Sequence, residues 1–326
     1  MTYHHSWDAY PIPDSLPLVV INDPALPLVS IVTPSYNQGR FIRETIESVL
    51  TQDYPNVEYW VIDGGSTDGT VSILKEYEHD PRFHWISEKD KGQSDAINKG
   101  WSRCRGKIVA WINSDDIYFP HAFRSQIDYL QRNPGVNIVY GDCMYTNQQG
   151  IRIRNAYGRP FHFLELLRFT IPYQPTVFLT RKAILCGGPL DVSFHYSMDS
   201  EYWLRLHKQG LCFGYNPSLI AAYRLHDSSK TVADMLKLHA DHKRLIELYA
   251  PPEHHSRLLS DLYLQVAMHL VEMGRIRESF QYVTHALTIR PTRRMLSYLA
   301  ILVDRITGIS FYRYVLDYWM NLKRRV

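Results

Sequence analysis

The segment WINSDD places two adjacent carboxylates, Asp115 and Asp116, directly after the apolar run KIVAWI. Carboxylates at the carboxyl end of a strand face the crevice where open α/β sheets collect their ligands. Paired oxygens there suit a hard divalent cation, Mn²⁺ or Mg²⁺, which keeps positions open for water and a substrate phosphate. Taken alone, the hexapeptide reads equally as an Asx-turn or a helix cap. Further along, HYSMDSEYWLRLHKQG puts Asp199 at the start of a helix that buries Trp203, Leu204 and Leu206. Asp199 either caps that helix or acts as a general base, and a partly desolvated site would raise its basicity. AAYRLHDSSKT adds Arg224, His226 and Lys230. His226 is a candidate for a metal or for a leaving diphosphate, set against the commoner structural histidine.

Those side chains need strands and helices to hold them. Pro11, Pro13, Pro17, Pro24 and Pro27 punctuate an irregular arm over residues 1–27, before a first strand from Leu28 to Tyr36. Phe41, Ile42, Thr45, Ile46, Val49 and Leu50 then recur at helical spacing. VEYWVID predicts a second strand ending at Asp63, whose carboxylate could accept from a base N–H or a ribose hydroxyl. Asp68, in the turn DGGSTDGT, reads as the cap of the next helix. FHWIS predicts a third strand, KIVAWI a fourth and NIVYGD a fifth. Between the third and fourth, SEKDKGQSDAINKG sets Glu88, Asp90 and Lys91 before a helix opening at Gly92. Lys91 and that helix N-terminus would offset a diphosphate's charge, or the loop is simply solvated. Alternation of this kind predicts an α/β, Rossmann-like, mainly parallel sheet flanked by helices.

Composition bounds the function. A net charge of +3 and the lack of a recognition motif exclude a nucleic-acid partner. Cys104, Cys143, Cys186 and Cys212 show no CxxC spacing, which argues against structural zinc and suits a reducing compartment. The N-terminus carries no basic and apolar leader pattern, and no apolar run reaches spanning length, so the expected location is cytoplasmic. Neither GxGxxG nor GxxxxGK[ST] occurs, which disfavours a dinucleotide oxidoreductase and a P-loop ATPase.

In order, VSIVTPSYNQGRFIRETIESVLTQDYPNVEYWVIDGGSTDGT, KGQSDAINKG, WINSDD, MDSEYWLRL and YRLH resemble the family 2 inverting nucleotide-sugar glycosyltransferases of GT-A fold, over about Leu28 to His226. The resemblance implies a GT-A domain over residues 28–230, with a nucleotide-binding half, 28–142, and an acceptor half, 143–230. It implies a nucleotide-sugar donor, UDP by preference over GDP and dTDP, and a glycan or lipid-linked acceptor in polysaccharide, lipopolysaccharide or glycan assembly. Pro34, Tyr36 and Asp63 would line the nucleotide pocket, with Asp90 near the base or ribose. Asp115 would hold the metal and Asp116 supply a second carboxylate. The first acidic position of the family's DxD pattern falls on Asn113 here, with Ser114 next. An asparagine still offers an amide oxygen to metal or ribose. Asp199 matches the family's catalytic base. Trp111, Tyr196 and Trp203 could wall a sugar ring, although Trp203 fits core packing better.

Residues 231–326 predict an α-helical extension. Ala267, Leu270, Gly274, Ala286, Leu287 and Pro291 follow the spacing of one tetratricopeptide unit, and a single unit reads better as a helical hairpin packed on the catalytic domain. From Arg290 onward eight Lys or Arg face two Asp. With Phe311, Tyr312, Val315, Trp319 and Leu322, that basic stretch could dock on the anionic inner face of a membrane, or pack on the protein with a solvated basic edge. Two other classes compete. A sugar-nucleotide nucleotidyltransferase would need a glycine-rich basic loop after the first strand, where only TPSYNQGR stands. A non-catalytic nucleotide-binding scaffold would treat Asn113 as decay and use the helices for a partner. The sequence leaves oligomeric state open.

Overall fold

The computed structural model describes residues 6–168, 171–226 and 235–290. The chain divides into two compact units, residues 1–233 and 234–326.

The first unit is built on strands that alternate with helices. β1 (Val29–Ser35) and β2 (Val57–Asp63) are buried at every residue, as apolar strands covered on both faces must be. β3 (Phe83–Ser87) and β4 (Ile108–Trp111) complete a parallel set in the order β3-β2-β1-β4. Helices α1 (Ile42–Leu50), α2 (Thr70–Glu76) and α3 (Gln93–Trp101) supply the crossovers. Register aligns Ser35, Asp63 and Ser87 at the carboxyl ends of three adjacent strands.

The second half of the sheet changes direction. The short strand β5 (Ile117–Tyr118) and helix α4 (Ala122–Arg132) lead to β6 (Ile138–Thr146), β7 (Arg152–Ala156) and α5 (Phe163–Leu166). Then come β8 (Phe178–Thr180), α6 (Arg181–Gly187), α7 (Met198–Lys208) and β9 (Phe213–Arg224). β8 inserts antiparallel between β4 and β6, and β9 lies parallel to β6 but antiparallel to β5. The parallel expectation therefore describes β1 to β4, and the rest of the sheet is mixed.

One core face packs Val29, Ile31, Tyr59 and Val61 against Ile42, Ile46 and Leu74, and extends to Phe123, Ile127 and Phe178. The other is aromatic. Trp101 of α3 meets Trp111 of β4 at 5.4 Å, and Trp111 stacks on Trp203 of α7 at 5.3 Å and 26°.

The second unit contains α8 (Met235–Tyr249), α9 (Pro252–Glu272) and α10 (Ile276–Ile289). Gly274, at φ +73°, ends α9, and Arg275 N–H returns to Leu270 C=O at 2.8 Å. This closes the hairpin as a glycine-terminated helix end does. Ser279 Oγ donates to Ala267 C=O at 2.9 Å, so small residues let α9 and α10 pack closely. Among the described residues no helix is long and apolar enough to cross a membrane. Lys230 and the aromatic residues of the basic C-terminal stretch lie outside the described residues.

Candidate active site

The strand ends are bound together by their loops. Asp63 is fully buried and its Oδ2 accepts from Gly65 N–H at 3.2 Å, Ser66 N–H at 2.9 Å and Ser87 Oγ at 2.6 Å. Ser66 Oγ covers Asp63 Oδ1. The adjoining loop of β1 is laced to this one. Asn37 Oδ1 accepts from Thr67 N–H at 2.9 Å, and Asp68 Oδ2 accepts from Gly39 N–H at 2.9 Å. Asp68 Oδ1 also takes Thr70 N–H at 2.9 Å, but the cap position of α2 is held by Gly69, so Asp68 ties the turn before the helix and is not its cap. Burial alone would raise the Asp68 carboxyl, but these donors outweigh it and hold it below the usual range. Pro34 is buried within β1, while Tyr36 is 60% exposed at its mouth.

Asp90 closes over this loop. A Cβ on Gly64 would come within 2.7 Å of Asp90 Oδ2, so glycine is what lets the two strand-end loops touch. Burial raises the Asp90 carboxyl, against the Gly92 N–H bond that lowers it. Lys91 is exposed, and its backbone N–H donates to Asp95 Oδ2 at 3.0 Å. Asp95 is shared with the N-terminal arm: Tyr10 Oη donates to Asp95 Oδ1 at 2.9 Å, and Trp7 packs on Trp101 with ring centroids 6.4 Å apart. Burial pushes the Tyr10 phenol up to about 12, so it remains a donor.

The WINSDD turn separates its two carboxylates. Asp116 is 1% exposed and accepts from Arg224 N–H at 2.9 Å and from Asn113 Nδ2 at 3.3 Å. Burial, then the neighbouring Asp115 charge, raises its carboxyl well above the usual range. Asp116 thus props the turn from inside and does not present the second carboxylate expected of it. Asp115 stays partly exposed, and its Oδ2 lies 2.9 Å from His226 Nε2. Arg224, 4% exposed, fixes the pair: its Nε donates to Asp115 C=O at 2.9 Å and its guanidinium reaches Glu44. Phe41 lies beneath, 4.8 Å from the His226 ring and 5.0 Å from the Arg224 guanidinium.

Asn113 proves fitted to its neighbours. Its Oδ1 accepts from Gln93 Nε2 at 2.6 Å while its amide donates to Asp116. An aspartate could not donate, and would crowd a third carboxylate onto a buried one. Ser114, next in the turn, is 5% exposed. From Gln93 the contacts continue to α7, because Ser94 Oγ donates to Met198 Sδ at 2.9 Å.

Met198 precedes Asp199. Ser197 occupies the cap position of α7 without a side-chain capping bond, so Asp199 is not the cap. The Asp199 carboxylate accepts from Ser200 N–H at 2.7 Å, and burial raises its carboxyl despite that bond. Its acidic neighbour is spoken for: Glu201 takes both Arg205 Nε at 3.1 Å and Nη2 at 2.8 Å. Within DSE, Asp199 is therefore the carboxylate that Arg205 does not hold. Tyr196 is half-buried in the loop before it. Trp111 and Trp203 are 0% exposed, so neither walls a sugar ring; they pack the core instead.

The match to the Glycosyl transferase family 2 model covers residues 30–187. TuaG, a putative teichuronic acid biosynthesis glycosyltransferase of Bacillus subtilis, is 32% identical over 209 residues, covering 62% of this chain and 81% of that protein. The chain belongs to glycosyl transferase family 2. The chondroitin synthase of Escherichia coli is 31% identical over 186 residues, 57% of this chain but only 27% of its own length, so the chain spans about a quarter of that relative. Two solved structures share the fold. Mannosyltransferase PcManGT of Pyrobaculum calidifontis, in complex with GDP-Man and Mn²⁺, superposes with a TM-score of 0.58 at 18% identity, covering 93% of this chain and 89% of that one. S. aureus TarS 1-349, in complex with UDP-GlcNAc, gives 0.56 at 15% identity, covering 90% and 92%.

A family 2 member is expected to accommodate a divalent cation, and the donor set fits one. Asp115 and His226 offer a hard oxygen and an imidazole nitrogen 2.9 Å apart. Adjacent ligands of an octahedral ion with bonds near 2.1 Å stand about 3 Å apart. Among the described residues no group of three His, Cys, Asp or Glu could hold an ion unaided. A diphosphate and water would complete such a shell. Sequence reasoning missed Gln93, the anchoring role of Arg224 and the reach of Tyr10, because each acts through a partner distant along the chain.

Proposed function

We propose that this chain is an inverting glycosyltransferase that moves a sugar from a nucleoside diphosphate, a UDP-sugar before GDP- or dTDP-sugars, to an acceptor hydroxyl in polysaccharide, lipopolysaccharide or glycan assembly. The observation that carries it is Asp199, a carboxylate made more basic by burial and relieved of capping, joined through Met198, Ser94, Gln93 and Asn113 to the Asp115 turn. Asp199 takes the acceptor proton as the hydroxyl attacks the anomeric carbon opposite the nucleotide. Asp63 recognises the base, whose N–H would displace the Ser66 hydroxyl from Oδ1. Pro34, Tyr36 and Asp90 border the nucleoside, with Lys91 and Ser114 toward the phosphates. Asp115 and His226 would hold Mn²⁺ or Mg²⁺, which when bound neutralises charge growing on the departing diphosphate. TarS with UDP-GlcNAc and PcManGT with GDP-Man and Mn²⁺ support the donor class, and TuaG and chondroitin synthase support polymer assembly. The basic stretch from Arg290 supports approach to an anionic membrane bearing a lipid-linked acceptor.

The test begins with melting in UDP, GDP, dTDP and CMP, each with Mn²⁺ and then with excess chelator. Ligand at about one hundred times its Kd stabilises by about 2.7 kcal/mol. A metal-dependent shift with one nucleotide is expected, followed by NMR of the product anomer with the matching donor sugar. No shift with any nucleotide, or retention of the donor's configuration, would overturn the reading.

A further inference from the structure

An arginine without an acid stands beside the WINSDD turn. Arg154 lies on the edge strand β7 opposite Tyr145 of β6, with its guanidinium 4.3 Å from the Tyr145 ring centroid. Among the described residues no carboxylate pairs with Arg154, whereas nearby Arg159 is held by Glu165 at 2.7 Å. Tyr145 meets Tyr173 edge-on at 6.2 Å and Tyr223 at 5.4 Å. All three tyrosines are half-buried.

Their place relative to the reacting groups is fixed by the backbone. Tyr223 directly precedes Arg224, whose N–H holds Asp116 at 2.9 Å. Leu225 N–H bonds Thr146 C=O at 2.8 Å, tying Tyr145 to the strand that delivers His226. Gln174, next to Tyr173, donates to Trp111 C=O at 2.8 Å, immediately before the turn. The three tyrosines therefore border the Asp115 turn on the half of the domain that follows it.

Half-buried aromatic rings with hydroxyl tips suit a pyranose, whose C–H face packs on rings while its hydroxyls find partners. A solvent-facing guanidinium steered by a ring presents a planar fork matched to carboxylate or phosphate. We propose that Tyr145, Tyr173 and Tyr223 with Arg154 form an acceptor subsite for an acidic saccharide, the ring on the tyrosines and the anionic group on Arg154. This rests on the transferase reading, since it names the acceptor class of that same domain.

The experiment uses the full chain and saturation-transfer NMR titrations with methyl β-glucuronide, glucose 6-phosphate and methyl β-glucoside. At least one acid should bind about fivefold tighter than the neutral glycoside, equivalent to about 1 kcal/mol, and the two acids separate a carboxylate site from a phosphate site. Arg154→Gln should abolish the preference and Arg154→Lys should keep part of it, both with unchanged melting temperature. Tyr173→Ala should weaken all three sugars alike. Equal binding of acid and neutral probes, no binding of any, or a preference surviving in Arg154→Gln overturns the proposal. UDP and GDP binding is read in the same samples. Its loss with the acid preference intact refutes the transferase reading alone, and the converse refutes the subsite alone.

Discussion

The two halves of the catalytic domain are stabilised in different ways. Around β1 to β3 the loops are clasped: Asn37, Asp68, Asp63 and Ser66 cross-link the β1 and β2 ends before any ligand arrives. Around β6, β7 and β9 the sheet bulges near Asp142, and Tyr145, Tyr173 and Arg154 are left half-open or exposed. On the proposed function, the clasped side would hold the nucleotide in fixed geometry and the more open side would adapt to the acceptor.

The contrast can be broken in order of effect. Asp199→Asn should cut transfer by about 10³-fold, within the range for a lost general base, while nucleotide-induced melting shifts persist. Unchanged turnover would remove Asp199 from the chemistry and favour a scaffold. Asp63→Ala removes a fully buried carboxylate that Gly65, Ser66 and Ser87 donate to, and should cost about 0.5–1.5 kcal/mol per lost hydrogen bond. Its signature is a lower melting temperature together with lost nucleotide binding, whereas the acceptor-side Arg154→Gln should show neither.

Asn113→Asp sharpens the comparison further, because it restores the family's commoner acidic position. It removes the donor to Asp116 and sets a negative charge against that buried carboxylate, so a lower melting temperature and no gain in metal-dependent activity are expected. A rise in activity with intact stability would show that Asn113 limits the enzyme.

Asp199 also gives a pH prediction. Its folded carboxyl is raised, so the folded state binds the proton more tightly than the unfolded one. Stability from this group is present below the ordinary aspartate range and is lost as pH rises through the raised value. Activity runs the other way, since the base must be ionised. Asp199→Asn should flatten the stability decline as pH rises above the ordinary aspartate range, measured by denaturant melts at a series of pH values. The smallest effect is expected for Tyr10→Phe: a donor affinity two- to threefold weaker, from the loss of about 0.5 kcal/mol, with kcat unchanged.

The donor half was legible because its signals are local. VEYWVID and FHWIS end where their patterns end, and Gly64 and Gly65 mark the turn that follows. The acceptor half was not. β9 runs twelve residues through Asn216 and Pro217, a pair that reads as a turn, and β8 has only three residues. Nothing periodic announces an antiparallel strand inserted between two others. At the site, residue types were readable and orientation was not. Asp115 and Asp116 are equivalent in sequence, yet only the fold turns one inward to Arg224 N–H and the other toward His226, 111 positions away. The tryptophans teach the same lesson, since Trp111 and Trp203 meet only once β4 and α7 are in place.

The Trp7 and Tyr10 contacts give the N-terminal arm a meaning beyond packing. The family match begins at residue 30, beyond the arm, yet the arm bears on Asp95, the carboxylate that fixes the Lys91 backbone. A fragment lacking only residues 1–27 would keep Asp63, Asp115, Asp199 and His226 and lose the Tyr10 bond that braces Asp95. On the proposed function, variation in the arm would retune donor affinity through Asp95 and Lys91 while leaving Asp199 untouched.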